Sequence, residues 1–207
     1  MAAPLLLKSL GLQPYDAIYQ AMQAFNTTRD ASSADEIWVL QHPPVFTLGL
    51  NGKRHHILQT SDIPILETDR GGQVTYHGPG QLVVYVLIDL HRRQLGVRQL
   101  VTILENSIIA LLKQYDLSAI AKKTAPGVYL QDAKIASVGL RIKRHCSYHG
   151  LSLNVDLDLT PFQTINPCGY EHLSMTRLSD WRPTISITQV EQDLIPILSE
   201  RLDAVPT

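Results

Sequence analysis

The segment INPCGY, residues 165 to 170, places Cys168, one of two cysteines in the chain, between a proline and a glycine. Pro167 and Gly169 are typical of an exposed turn, which favours a reactive thiol over a packed one. A thiol with an ordinary pKa of about 8.5 is only about 3% ionised at pH 7, so a nearby cation would raise the fraction of nucleophilic thiolate. A free cysteine is more often a buried apolar residue than a nucleophile, and the turn alone leaves both interpretations open.

Lys134 is a candidate for that cation. In a strand running from residue 134 to 142, the positions on one face are Lys134, Ala136, Val138, Leu140 and Ile142, so the lysine shares an apolar face. Burial disfavours an ammonium, which would let Lys134 act as a base near neutral pH. A lysine at the first position of a strand more often extends to solvent, and the periodicity alone favours that second interpretation.

The segment RGGQVTYHGPGQ, residues 70 to 81, contains four glycines and lies between two predicted strands. Such a loop lets backbone approach a ligand closely and leaves N–H groups free to hold an oxygen. A glycine-rich β-turn without a ligand is the alternative. No lysine follows the glycines as it does in a phosphate-binding loop, and G-x-G-x-x-G is absent, so the segment does not indicate nucleotide binding.

His145, Cys146 and His149 are close in sequence and raise the question of a metal site. If residues 145 to 155 form a strand, Cys146 faces away from both histidines. Two ligands make a poor metal site, so we expect no bound metal and a structural role for Cys146.

The spacing of apolar residues predicts the elements of the first half of the chain. The N-terminal MAAPLLLKSLGLQ is interpreted as a first strand, and a helix follows Pro14. EIWVL, PVFTLGL and VTYH are predicted to be short strands, and the nearly apolar QLVVYVLIDL is predicted to be the central one. A long helix from Val97, with one apolar face, should cover the sheet.

In the second half, GVYL, KIASVGLRIK and LSLNVDLDL predict three antiparallel strands. The third of these is expected over residues 151 to 159, where every odd residue is apolar. Thr188 and Glu191 form a possible capping box that would open a last helix.

Composition narrows the class of protein. With 207 residues, 44% hydrophobic and 18% charged, the chain fits one globular domain, and a net charge of -1 makes nucleic acid and membrane poor partners. Two cysteines without C-x-x-C fit a reducing compartment, for which the cytoplasm is the expectation. The short apolar run at the N-terminus has no preceding basic region and does not resemble a signal peptide.

Four motifs together resemble one known family. They are RGGQVTYHGPGQLVVY, APGVYLQDAKIASVGLRI, SYHGLSLNVDLDLTPFQTINPCGY and the helix that begins LGVRQLVTILE. In these motifs, within a match from about HPPVFTLG to SDWRP, the chain is similar to the lipoyl(octanoyl) transferases. That resemblance implies an α+β fold, a single domain over residues 1 to 207 with a mixed, largely antiparallel sheet and packed helices, as in lipoate and biotin protein ligases.

The resemblance also implies an activity without a cofactor. Family members transfer an octanoyl group from octanoyl acyl carrier protein to a lysine of lipoyl domains, through a cysteine thioester. The acceptors it implies are the E2 subunits of 2-oxoacid dehydrogenases and the glycine cleavage H protein.

The resemblance assigns the site residues of the family to the matching motif positions of this chain. The acylated cysteine corresponds to Cys168, and Lys134 corresponds to the lysine that lowers the pKa of its thiol. His77 and His149 also lie in matching motifs, where we expect orientation or hydrogen bonding. The residues implied to line the acyl pocket are Arg70, Gly71, Gly72, Gln73, Val74, Thr75, Tyr76, His77, Ser137, Val138, Gly139, Gly150, Leu151 and Ser152.

Basic clusters could guide an acidic carrier or lipoyl domain, although each is more simply a solvated face. They lie at residues 53 to 56, 91 to 93, 122 to 123 and 141 to 144.

Three other functions remain open from the sequence. An ATP-dependent lipoate or biotin ligase would share the fold, but the chain has the NPCGY cysteine and lacks the G-R-G-R segment of biotin ligases. A non-catalytic acyl-binding module would be expected to lose Cys168 or Lys134. A cysteine protease would need a histidine beside Cys168, which the sequence does not assign.

Overall fold

A seven-stranded sheet forms the centre of the structure, a computed structural model that describes residues 5–122, 125–170 and 173–204. The first two strands pair in parallel, and the other neighbours are antiparallel. Strand numbers follow the chain, and the spatial order across the sheet is β1 (Leu5–Leu12), β2 (Asp35–Gln41), β6 (Gln81–Leu87), β10 (Cys146–Asn154), β9 (Ala133–Lys143), β8 (Val128–Leu130) and β7 (Ala119–Ala121).

A three-stranded sheet contains β4 (Ile65–Glu67), β3 (Val45–Leu48) and β5 (Val74–His77), in that spatial order. The middle strand β3 pairs in parallel with β4 and antiparallel with β5. Its core includes Phe46, Tyr76 and Phe162. The glycine-rich segment therefore begins in the loop before β5 and ends in the central strand β6 of the larger sheet.

Three helices cover the two faces of the larger sheet. On one face, α2 (Val97–Gln114) and α3 (Ile187–Asp203) bury their apolar stripes against residues such as Val84 and Val86. On the other face, α1 (Tyr15–Thr28) packs against Val83 and Tyr85. Both faces of β6 are thus covered, which explains its nearly continuous apolar sequence. Among the described residues, no helix combines the length and apolar character that a membrane span requires.

The first strand is confirmed over Leu5–Leu12, and residues 1–4 of its predicted segment lie outside the described residues. The helix after Pro14, the central strand and the long helix from Val97 are also confirmed, and two details are wrong. The cap of α3 is Ser186, whose hydroxyl accepts a hydrogen bond from the Gln189 N–H at 3.1 Å, so the predicted capping box at Thr188 and Glu191 does not open the helix. The strand expected over 151 to 159 is β10, which spans Cys146–Asn154.

The odd apolar residues beyond Asn154 have another role. Val155 donates its N–H to the Gly80 carbonyl, and the chain leaves the sheet there. Leu157 then packs in the core of the smaller sheet. The alternation of apolar residues therefore continues past the strand because two different cores receive the side chains.

Candidate active site

Lys134 and Cys168 lie side by side. The lysine Nζ is 3.3 Å from the cysteine Sγ, within hydrogen-bonding distance of a sulfur. Lys134 is only 1% exposed, so the expectation that it extends to solvent is wrong. A later segment covers this end of β9: the Lys134 N–H donates to the Ser174 carbonyl at 2.8 Å, and the Thr176 N–H donates to the Lys134 carbonyl at 3.0 Å.

Cys168 occupies a tight turn, the 3₁₀ helix Pro167–Gly169, and its side chain is partly exposed. Its φ of 58° and ψ of 15° are left-handed, a conformation that residues with a Cβ rarely adopt. The Gly169 N–H donates to the Asn166 carbonyl at 3.0 Å, and the Asn166 N–H donates to the His56 carbonyl at 2.7 Å. These bonds fix the turn, which presents the thiol to the lysine.

The side chain of Lys134 is enclosed by β8 and the turn before it. Its Nζ lies 5.5 Å from the centre of the Tyr129 ring. Burial, together with the nearby Cys168, raises the pKa of Tyr129 to about 12, so its hydroxyl is neutral at pH 7. Gly127 has a φ of +130° and approaches so closely that a Cβ there would lie 2.7 Å from the Lys134 Cε. The stem of the lysine therefore has little freedom.

A pocket that opens beside Cys168 brings together most of the residues predicted to bind the acyl chain. Val74 and Tyr76 are exceptions: side chains alternate along β5, and these two point into the core of the smaller sheet. The predicted residues that line the pocket are Arg70, Gly71, Gly72, Gln73, Thr75, His77, Ser137, Val138, Gly139, Gly150, Leu151 and Ser152.

Tyr15, Val83 and Tyr85 also line the pocket, and sequence reasoning missed them. The sequence contained a signal for them. Val83 and Tyr85 lie on the same face of the central strand, which α1 covers, and Tyr15 lies in the first turn of that helix. His149, the fourth additional lining residue, was expected only to orient or hydrogen-bond a ligand.

Arg70 is a buried structural anchor for one wall of the pocket. Its guanidinium donates to the Thr47 hydroxyl at 3.0 and 2.9 Å and to the Thr47 carbonyl at 2.7 Å. It also donates to the carbonyls of Gly71 and Gln73, at 2.9 and 2.7 Å. One side chain thus fixes the glycine-rich loop to β3.

Asp69 organises a polar cluster behind the pocket. Its carboxylate accepts hydrogen bonds from the Tyr148 hydroxyl and, at 3.2 Å, from His149 Nε2. His149 has a left-handed φ of 60°, which interrupts the alternation of β10 and lets both neighbours reach one carboxylate. Although burial opposes ionisation, these bonds hold the pKa of Asp69 well below its usual range. Among the described residues, no group pairs with the buried His149 Nδ1.

The pocket histidines are neutral at pH 7. Burial lowers the pKa of His77 to about 3, and its Nδ1 lies 2.7 Å from the Gln81 Oε1. Burial also lowers the pKa of His149. Neither histidine is therefore a cation at the pocket, whereas the Lys134 Nζ contacts the Cys168 thiol.

A groove of about 660 Å³ lies next to the Cys168 turn. Asn166 and Pro167 form its wall next to the turn, and Ser174 and Met175 line it beside Lys134. Leu58 lies at its exposed edge. The groove therefore adjoins both the turn that holds Cys168 and the segment that pairs with the Lys134 backbone.

Cys146 and its neighbouring histidines form a different environment. Burial raises the pKa of the Cys146 thiol, and His145 lies in the exposed turn before β10. Within the described ranges, no group of three or more histidine, cysteine, aspartate or glutamate side chains could hold a metal ion. Cys146 is poorly suited to compete with Cys168 as a nucleophile.

The basic clusters differ in their availability. Arg92 and Arg93 bind the buried Asp35, at 2.7 and 2.6 Å, so the cluster at 91 to 93 is largely structural. Lys122 pairs with Asp132, and Lys123 lies outside the described residues. The cluster at 53 to 56 is next to the Cys168 turn through the His56 carbonyl.

Comparisons with known proteins show the family to which the chain belongs. Residues 14–199 match the family model for the lipoyl protein ligase A/B catalytic domain. An octanoyltransferase of Vibrio cholerae is 54% identical over 203 residues, which cover 98% of this chain and 94% of the relative.

Solved structures with lower identity support the fold. A bi-partite lipoate protein ligase from Thermoplasma acidophilum aligns with a TM-score of 0.72 at 16% identity, over 98% of this chain and 84% of that one. A biotin protein ligase from Aquifex aeolicus aligns with a TM-score of 0.57 at 13% identity, over 98% of this chain and 70% of that one. The predicted α+β fold of lipoate and biotin protein ligases is therefore confirmed, and the sequence identity over nearly the full length shows that the chain belongs to the octanoyltransferase family and is an acyltransferase.

Proposed function

We propose that this acyltransferase moves an octanoyl group from octanoyl acyl carrier protein to a lysine of a lipoyl domain, with Cys168 carrying the group as a thioester. The observation that carries the proposal is the 3.3 Å contact between the Lys134 Nζ and the Cys168 Sγ at the mouth of the pocket. A buried ammonium beside a thiol favours the thiolate, which is the nucleophilic form.

In the first half-reaction, the Cys168 thiolate attacks the carbonyl carbon of the donor thioester. Backbone N–H groups of the glycine-rich segments hold the negative oxygen of the tetrahedral intermediate. The bond to the carrier's sulfur then breaks, and the departing thiolate takes a proton from the Lys134 ammonium. The products are octanoyl-Cys168, a neutral Lys134 amine and the free thiol of the carrier.

In the second half-reaction, the acceptor lysine attacks the Cys168 thioester as a neutral amine. Lys134, now neutral, accepts the proton that the attacking nitrogen loses as the amide forms. The bond to Cys168 breaks and restores the thiolate beside the Lys134 ammonium. Two half-reactions that share an acyl-enzyme predict ping-pong kinetics, whereas intersecting double-reciprocal lines would contradict the scheme.

The pocket provides the selectivity for the acyl chain. Burying each methylene is worth roughly 0.8 kcal/mol, so six methylenes contribute about 5 kcal/mol before the costs of ordering. The wall residues Val83, Val138 and Leu151 supply apolar surface for this purpose. Chain-length choice should follow the depth of the pocket.

The proposed partners follow from the family. We infer that octanoyl acyl carrier protein is the donor, and that the E2 lipoyl domains of 2-oxoacid dehydrogenases and the glycine cleavage H protein are the acceptors. Acidic surfaces on such partners would be attracted by Lys53, which is exposed beside the Cys168 turn. Arg54, next to it, pairs with Glu67 at 2.7 Å.

The direct test is intact mass of the protein after incubation with octanoyl acyl carrier protein. We expect an octanoyl-sized adduct, labile to hydroxylamine, on the wild type and none on Cys168→Ala. The adduct should form more slowly on Lys134→Ala. Octanoylation of a lipoyl domain without an adduct would contradict the acyl-enzyme, and ATP–pyrophosphate exchange with free octanoate would point to a ligase instead.

A further inference from the structure

A groove of about 660 Å³ lies beside the Cys168 turn, and the acyl chain does not account for it. We define it as the donor groove, with Leu58, Phe162, Asn166, Pro167, Ser174 and Met175 among its walls. We propose that the donor groove binds the thiol-bearing arm of the donor thioester, a linear chain of methylenes and amides of the pantetheine class. This inference rests on the proposed function.

The position of the groove relative to the Lys134–Cys168 pair is the first argument. Asn166 and Pro167 immediately precede Cys168 in its turn. Ser174 accepts the Lys134 N–H at 2.8 Å through its carbonyl, and Met175 pairs with Lys134 in a β-bridge. The groove thus adjoins the backbone next to both members of the pair, and the side chains of the pair themselves do not line it.

The shape of a thioester is the second argument. Two chains leave its carbonyl group, the acyl tail on carbon and the thiol arm on sulfur. The pocket that contains Val138, Leu151 and Cys168 takes the tail, so the arm must leave the carbonyl in another direction. The donor groove, whose wall includes Asn166 and Pro167, is a concave surface next to the cysteine turn.

The chemistry of the walls fits an arm that is partly polar. Leu58, Phe162 and Met175 offer apolar contact to methylenes and branched methyl groups. Gln163, Asn166 and Ser174 offer amide and hydroxyl groups that can pair with amides of the arm. A purely apolar groove would leave those amides without partners at a cost in affinity.

Charge at the edge of the groove is complementary to the proposed donor. The turn with the exposed Lys53 connects to the groove wall through the hydrogen bond from the Asn166 N–H to the His56 carbonyl. A phosphate on the arm, or an acidic carrier behind it, would pass this cationic turn.

Two thioester substrates distinguish binding of the thiol-bearing arm from binding of the acyl tail. Octanoyl-pantetheine has the arm, and the p-nitrophenyl thioester of octanoic acid does not. The variant Leu58→Asp places a charge at a residue that is 53% exposed, so the fold should tolerate it. Gln163→Trp fills the groove from a second exposed position. Leu12→Asp, at a leucine of β1 that is 54% exposed, is the matched control.

We expect both groove variants to raise the KM of Cys168 acylation for octanoyl-pantetheine about tenfold, with the p-nitrophenyl thioester and the control unchanged. Equal losses with both thioesters, or no loss with either, would overturn the assignment. A higher KM for the lipoyl domain alone would assign the groove to the acceptor instead. If wild-type Cys168 is acylated by neither thioester, the proposed function fails together with this inference.

Discussion

The carboxylate of Glu105 accepts a hydrogen bond from the Gly127 N–H at 2.8 Å, and Gly127 packs against the Lys134 stem. Helix α2 thereby reaches the proposed active site through one glycine. Burial raises the pKa of Glu105, and the Gly127 N–H and the charge of Lys134 partly offset that effect. The arrangement makes Glu105 a positioning residue for Lys134. In the described parts of the chain, the Cys168 thiol and the Tyr129 ring also face the lysine.

Glu105→Gln keeps an acceptor for Gly127 and removes the charge. Loss of the carboxylate charge should favour the neutral amine of Lys134 over its ammonium. The Cys168 thiol then has no cation beside it. We expect iodoacetamide to alkylate Cys168 about tenfold more slowly at pH 6.5, with little change at pH 9.5, measured on the Cys168 peptide by mass spectrometry. The effect should disappear in a Lys134→Ala background, and Glu200→Gln on α3 is a matched control. An unchanged pH profile would reduce Glu105 to a structural residue.

Lys134→Met tests the cost of a buried ammonium. Methionine fills a similar volume without a charge, so the free energy of unfolding should stay the same or rise by about 1 kcal/mol. Acylation of Cys168 should fall by about 100-fold, because the Cys168 thiolate loses its cation and the departing thiolate of the donor loses its proton source. Urea unfolding and intact mass measure the two effects. Lys122→Met, at the pair with Asp132, controls for the change of residue type. A parallel loss of stability and activity would contradict a specialised role for Lys134.

Thr47 connects Arg70 with His77. Its hydroxyl accepts from the Arg70 guanidinium at 3.0 and 2.9 Å and lies 3.4 Å from His77 Nε2, to which it can donate. Thr47→Val preserves the shape and leaves buried polar groups unpaired, so we expect a loss of about 1–3 kcal/mol in the free energy of unfolding. Thr102→Val, exposed on α2, should change it by less than about 0.5 kcal/mol. Equal effects would show that Thr47 is not an anchor of the loop.

Local sequence patterns predicted the strands and helices well but could not define the end of β9. Periodicity placed Lys134 on an apolar face of the strand. The burial of that end of β9 depends on the segment from Ser174 to Thr176, which lies much later in the chain. The family motif gave a continuous run from Arg70 to His77, whereas strand geometry turns Val74 and Tyr76 away from the pocket. Glu105 was missed because the spacing of apolar residues predicts a helix but does not predict which loop its polar side chains contact.

Burial lowers the pKa of three histidines, His42, His77 and His149, and thereby couples stability to pH. Burial lowers the pKa of His42 to about 4 and that of His77 to about 3. His42 is held by the Gln13 carbonyl and the Tyr85 hydroxyl, each at 2.7 Å. A histidine is protonated near pH 6.5 in the unfolded chain. Between pH 6.5 and these lower values the unfolded state binds more protons, so stability is complete above pH 6.5 and falls as the pH decreases.

Acidification from pH 7 to pH 5 should therefore reduce the free energy of unfolding by about 2 kcal/mol for each of His42 and His77. Carboxylates are ionised in both states over most of that range and contribute little to the difference. His77→Gln should remove about 2 kcal/mol of the decrease, whatever its effect on stability at pH 7, because one proton fewer is taken up on unfolding. Urea titrations of both proteins at pH 7 and pH 5 measure the difference. An identical decrease in the variant would mean that His77 is protonated as readily in the folded protein as in the unfolded chain.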